Sequence, residues 1–248
     1  MNLPRFGAFF ISKRRNTEAV SLLRNRNVCP RERVRACAPI LAEYIPKWPR
    51  INIVNDYDST TRWRDLMRFP RLKTTRLLLR EVMQSDADDL YAILSDPEVT
   101  KYYGMEPLPS KEGAQREIDW YQKQYRTRSG IRWAIALHRN RQLIGTCGFQ
   151  NWSAEHNRVE IGYELSRQFW GTGIMTEALT KMIQYGFTVC KFNRIQAVVD
   201  PRNNGSLAVL RKLGFVKEGL LAEYEYTAGG YDDLLMFALL RKNYRRNG

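Results

Sequence analysis

Arg158-Val-Glu-Ile-Gly-Tyr-Glu-Leu165, Ser166-Arg167, Gln168-Phe-Trp-Gly-Thr-Gly173 and Ile174-Met-Thr-Glu-Ala-Leu-Thr-Lys-Met-Ile-Gln-Tyr-Gly-Phe187 follow one another without a break. The first stretch alternates apolar and polar residues and reads as a strand. The last repeats apolar residues at helical spacing, with Ile174, Ala178 and Met182 on one stripe and Met175, Leu179 and Ile183 beside it, so it reads as a helix packed on a sheet. Between them stands a Gly-x-Gly turn, Gly171-Thr172-Gly173. A turn of this kind opening a helix gathers free backbone N–H groups at the positive end of the helix dipole, a geometry suited to phosphate.

The rest of the chain alternates in the same manner. Arg76–Met83 reads as a strand, and Ser85 and Asp86 are placed to cap a helix through Leu90 and Leu94 that Pro97 stops. Ser110 is placed to cap a second helix to about Arg126. Residues 131–138 and 142–150 form a hairpin around Arg139-Asn140-Arg141, followed by a polar loop at 151–157. Residues 194–200 read as a strand, and 203–213 as a helix that Gly214 ends. Short final strands are expected at 215–217 and 234–240, with Gly229-Gly230 turning between them. The expected fold class is α/β (α+β): a central mixed, mostly antiparallel sheet with helices on both faces.

Residues 1–66 read differently from residues 67–248. They carry scattered arginines, several prolines and little periodicity, and they hold half of the chain's net charge of +14. They are expected to form a basic, poorly ordered extension, with Met67 resembling a translation start. The remainder is only mildly basic and contains no nucleic-acid motif of known spacing, so nucleic acid is not favoured as a partner. No apolar run is long enough to span a membrane. The four cysteines, Cys29, Cys37, Cys147 and Cys190, follow no metal-ligand spacing, and Cys147 and Cys190 lie in apolar segments. No metal is expected, and a reducing cytoplasm is the natural compartment.

Leu77-Leu-Leu-Arg80, Ile144-Gly-Thr-Cys-Gly-Phe149, Glu160-Ile-Gly-Tyr-Glu-Leu165, Trp170-Gly-Thr-Gly-Ile-Met-Thr-Glu-Ala178, Asn203-Asn-Gly-Ser206 and Lys212-Leu-Gly-Phe-Val-Lys-Glu-Gly219 occur in this order. Together they resemble the GNAT acetyltransferase superfamily, and within it the ribosomal-protein N-terminal acetyltransferases of the RimJ/RimL type. The resemblance covers about residues 72–241. Ile174 stands where many relatives carry Tyr. What it implies is the GNAT fold and transfer of an acetyl group from acetyl-CoA, as co-substrate, to a primary amine. The diphosphate would lie on the backbone of Gln168, Trp170, Gly171, Thr172, Gly173 and Ile174. The pantetheine arm would pair along strand 158–165, where a backbone N–H near Tyr163 to Leu165 would face the thioester oxygen.

Attack by an amine requires that it be deprotonated. Glu160 is the first candidate base, set against its bland reading as an exposed strand carboxylate paired with Lys or Arg. Glu164 shares its face and comes second. Ser206 is a candidate proton donor to the departing thiolate. Asn203 is a candidate cofactor contact as well as a helix cap. Tyr224 and Tyr226 are phenols in a loop without an assigned place. His138 reads as a surface residue, His156 as a loop residue, and Trp120, Tyr121 and Tyr125 as packing groups or as lining for the acceptor. The acceptor is expected to be a protein N-terminus, with a small amine as the near alternative. The basic surface argues against a polycation unless a local acidic cleft intervenes. A non-catalytic module that binds CoA, a ribosome or RNA, with residues 1–66 as its arm, is the rival from another class. The oligomeric state stays open between monomer and homodimer.

Overall fold

The computed structural model describes residues 69–227 and 229–244. The extension expected at 1–66, and Met67 with it, lie outside the described residues.

Eight strands form one sheet: β1 (Leu72–Lys73), β2 (Leu77–Glu81), β3 (Ile131–Leu137), β4 (Leu143–Ser153), β5 (Arg158–Leu165), β6 (Arg194–Val199), β7 (Val216–Thr227) and β8 (Gly230–Leu240), in the order β1-β2-β3-β4-β5-β6-β8-β7. All neighbours are antiparallel except β5 and β6, which run parallel. The helices are α1 (Ala87–Leu94), α2 (Pro97–Thr100), α3 (Lys111–Thr127), α4 (Ile174–Thr188), α5 (Asn204–Lys212) and α6 (Arg241–Tyr244).

Every residue of β3 and the first seven of β4 are buried, as central strands covered on both faces must be. On one face α4 packs Ile174, Met175, Ala178, Leu179, Met182, Ile183 and Phe187 against Phe149, Val159, Ile161 and Ile195. Gly186 lets that helix approach, because a Cβ there would stand 2.8 Å from the Phe149 ring. Trp133 anchors the same layer, fully buried, its indole N–H donating to the Pro70 carbonyl at 2.8 Å. On the opposite face α1 and α3 place Leu90, Ile93, Leu94, Ala114, Ile118 and Tyr121 over Ala134 and Leu143.

The expected class and element order hold, with three local departures. Asp86 does not cap α1: its carboxylate takes the Met83 N–H and a two-pronged pair from Arg80 at 2.7 Å. Pro97 does not only end a helix; it opens α2 at the first-turn position where a missing N–H costs nothing, with the Asp96 side chain as cap. The final strands are far longer than expected, and β7 and β8 form one hairpin with Thr227 opposite Gly230. Tyr224 and Tyr226 therefore lie on a strand, both mostly exposed. Among the described residues no helix is long and apolar enough to cross a membrane.

Candidate active site

β5 pairs with β4 along its whole length, but with β6 only at Arg158, Val159 and Glu160, opposite Arg194, Ile195 and Gln196. Beyond Glu160 the two parallel strands part. Among the described residues the β6-facing edge of Ile161–Leu165 is thereby left without a strand partner, open to an extended ligand that would pair as another strand.

The Gly turn stands at the end of that edge. Gly171 and Gly173 have φ of +73° and +78°, a conformation that favours a residue without Cβ. A Cβ on Gly171 would meet nothing within 4 Å, and one on Gly173 only the Arg76 Nη2 at 3.6 Å. The space above the turn is clear. No side chain caps α4, which leaves the amide groups of its first turn for a ligand. Trp170 fixes the turn to the strand, its indole N–H donating to the Leu165 carbonyl at 2.8 Å. Arg76, which the sequence reading passed over, braces the other side. Its guanidinium donates to the Thr172 carbonyl at 3.1 Å and to Glu177 at 2.6 Å, while the Arg76 N–H and the Thr74 hydroxyl bind the same Glu177 carboxylate. The only signal for it in the sequence is the acid in the first turn of α4, since its partner lies in the bend before β2, about a hundred residues away.

Glu160 lies in a row across the sheet between Gln150 on β4 and Gln196 on β6. Its side chain is buried, 5% exposed, so its reading as an exposed strand carboxylate fails. Its bonding partners among the described residues are neutral amides: Asn151 at 3.1 Å, Gln150 at 3.3 Å and Gln196 at 3.4 Å. It is thus a buried carboxylate that, among the described residues, pairs with no cation. Glu225 on β7 feels the same surroundings. Partial burial first, then the nearby Asp232, Glu160 and Asp200 carboxylates, raise it above the usual carboxylate range.

Glu164 differs. It is buried against Arg132, receives the Thr146 hydroxyl, and accepts from Tyr103 at 2.7 Å. Gly162 makes this pairing possible, because a Cβ there would stand 2.8 Å from the Arg132 guanidinium. The carboxylate is spoken for, and the second-choice base falls away.

The opposite wall is built by α5. Asn203 occupies its cap position and accepts the Ser206 N–H at 3.0 Å. Burial pushes the Tyr163 phenol up to about 12, with the Ser206 side chain as a smaller opposing influence. Tyr163 on β5 and Ser206 on α5 are thus close enough to influence one another. His138 is exposed and bonds the Thr74 carbonyl, and His156 is exposed in the β4–β5 hairpin. Tyr121 and Tyr125 pack, whereas Trp120 is 45% exposed. A groove of about 540 Å³ between β1 and the C-terminal half of α4 lies at the far end of that helix from the turn and brings no acid to a nucleophile.

A family model described as "Acetyltransferase (GNAT) domain" matches residues 76–216. The chain belongs to the GNAT acetyltransferase family. It is 39% identical over 173 residues to YoaA of Bacillus subtilis (strain 168), an uncharacterized N-acetyltransferase, covering 70% of this chain and 98% of that one. It is 42% identical to the uncharacterized N-acetyltransferase p20 of Bacillus licheniformis, over 70% and 97% of the two chains. Its fold matches Mycobacterium smegmatis RimJ, solved in complex with CoA-disulfide, at a TM-score of 0.63 and 24% identity, over 71% of this chain and 88% of that one. The chain is accordingly an N-acetyltransferase, and acetyl-CoA is the expected co-substrate of such an enzyme.

Proposed function

We propose that this GNAT enzyme acetylates a protein N-terminus by direct attack of the amine, with Glu160 as general base. The observation that carries this reading is the parting of β5 from β6 immediately after a buried carboxylate that, among the described residues, no cation neutralises. Acetyl-CoA, when bound, supplies an acyl group activated as a thioester. Gln168, Trp170, Gly171, Thr172, Gly173 and Ile174 hold its diphosphate through backbone N–H groups. The backbone between Tyr163 and Leu165 orients the thioester and donates to its oxygen, where charge builds during attack. Glu160 takes a proton from the incoming ammonium, directly or through water. The Ser206 hydroxyl donates to the departing thiolate, and Asn203 fixes the start of α5 beside it. A protein acceptor is supported by a relative 28% identical, the putative ribosomal N-acetyltransferase YdaF of Bacillus subtilis.

A second acceptor class has its own observation. Glu225 lies within electrostatic reach of Asp232, Glu160 and Asp200, and among the described residues the ion pairs of Arg202 are with Asp200 and Asp232. This local acidity suits a small polycation despite the basic chain. The spermidine N(1)-acetyltransferase of Escherichia coli is 25% identical over 166 residues.

Thiol release from acetyl-CoA, measured against peptides with free Ser or Ala N-termini and against spermidine, tests both. Acetylation of peptides in preference to spermidine supports the first reading. The reverse preference supports the second. Tight CoA binding without thiol release for any amine would leave a CoA-binding module instead of an enzyme.

A further inference from the structure

Between α2 and α3 the chain runs from Lys101 to Ser110 without a strand or helix. Three consecutive residues fasten it, each to a different element. The Tyr102 ring lies 5.9 Å from the Arg202 guanidinium, in the turn after β6. The Tyr103 hydroxyl donates to Glu164 on β5 at 2.7 Å and accepts from Arg132 on β3. Gly104, at φ +70°, passes so close to the Glu225 carboxylate on β7 that a Cβ would collide with it. The segment therefore reaches from Glu164, on the part of β5 that has left β6, to Glu225 on β7, which lies within electrostatic reach of Glu160.

The middle fastening is unlike the other two. Arg132 and Glu164 are buried together beneath the sheet's α3 face, with Thr146 bonded to both and the Tyr121 ring over the guanidinium. An apolar substitute for a buried ion pair is commonly as stable, so stability alone does not account for this one. A rigid charged peg that holds a phenol at fixed length does. Burial, opposed by Arg132 and reinforced by Glu164, pushes the Tyr103 phenol well above its ordinary range, so it stays a donor at any working pH.

We propose that Tyr103 is a positioning residue for the acceptor: it hangs segment 101–110 on the buried Arg132–Glu164 pair and so sets the width of the passage by which an amine reaches Glu160. The same geometry explains why two carboxylates on one face of β5 differ in role: among the described residues one pairs only with neutral amides, and the other is a post for the segment above it. This rests on the opening between β5 and β6 being the site of transfer.

The test uses the full chain and Tyr103→Phe, which removes one hydroxyl. Hydrogen exchange is followed in peptides spanning 101–110, β3 and β5. Calorimetry with CoA and steady-state acetylation of the panel amine that the wild type uses fastest complete the comparison. Exchange over 101–110 rises about tenfold or more, as expected for loss of a hydrogen bond to a charged group. Exchange in β3 and β5 and CoA affinity stay unchanged, and the acceptor KM rises far more than kcat falls. Tyr102→Leu, which frees only the outer contact, gives a smaller rise confined to the same peptides. Unchanged exchange over 101–110, an equal rise in β3 and β5, an unchanged acceptor KM, or failure of Tyr103→Phe to fold would each overturn the proposal. Wild-type protein that binds no CoA or acetylates no amine overturns the transfer site itself, and with it the acceptor role, whatever the exchange pattern shows.

Discussion

Gly173→Ala separates what the turn does for the fold from what it does for the ligand. In the fold, Gly173 holds φ +78° as the cap residue of α4, and an added Cβ would meet only the flexible end of Arg76 at 3.6 Å. The stability cost is thus conformational and not steric, about 1–2 kcal/mol for a left-handed non-glycine residue, or roughly 2–8 °C in Tm for a domain of this size. For the ligand, the methyl stands in the clear space over the turn. Forfeiting one amide bond to a charged phosphate costs about 1.5–3 kcal/mol, roughly a 10- to 150-fold rise in the Kd for CoA. Gly171→Ala, at φ +73°, is expected to behave alike. Gly219→Ala serves as the control: nothing lies within 4 Å of its Cβ and its φ is not in the left-handed region, so neither Tm nor Kd should move. Differential scanning fluorimetry gives the Tm and calorimetry with CoA the Kd. A Gly173→Ala protein that melts lower but binds CoA as tightly as the wild type refutes the assignment of the diphosphate to this turn.

Glu160→Gln keeps the size and the amide contacts but removes the base. Turnover should fall about 10²–10⁴-fold with CoA affinity unchanged, and full activity would remove Glu160 from the mechanism. Burial pushes the Cys147 and Cys190 thiols up to about 12 each. Iodoacetamide at pH 8 should leave both unmodified in folded protein and label both in guanidinium, as read by peptide mass; rapid labelling without denaturant contradicts their burial. Glu225 titrates above its unfolded value in the folded chain, first through partial burial and then through Asp232, Glu160 and Asp200. A raised carboxylate favours the protonated fold, so its destabilising effect is absent below the unfolded value near 4.5 and grows as pH rises through the folded one. Glu225→Gln should therefore raise Tm at pH 7–8 and not at pH 4, and a pH-independent effect would show that the other carboxylates do not act on it.

The sequence by itself determined the architecture around the turn. Apolar alternation in 158–165, the helical stripe in 174–187 and the two glycines are local signals, each bound to the geometry of a single element, and all three stand where the sequence places them. The helix end at Gly214 and the hairpin at 139–141 were legible for the same reason. Local pattern misled where the deciding partner was distant. Asp86 looked like a cap until Arg80 claimed it, and β7 looked like a loop because an edge strand with exposed residues shows little alternation. At the site, only tertiary structure distinguished two glutamates four residues apart on one strand. Glu160 ends the pairing with β6 among neutral amides, whereas Glu164 meets Arg132 because Gly162 leaves room for it. Their spacing gives both the same face. Whether a carboxylate stays reactive depends on which charges the other strands bring beside it, and those strands lie tens of residues away in the chain.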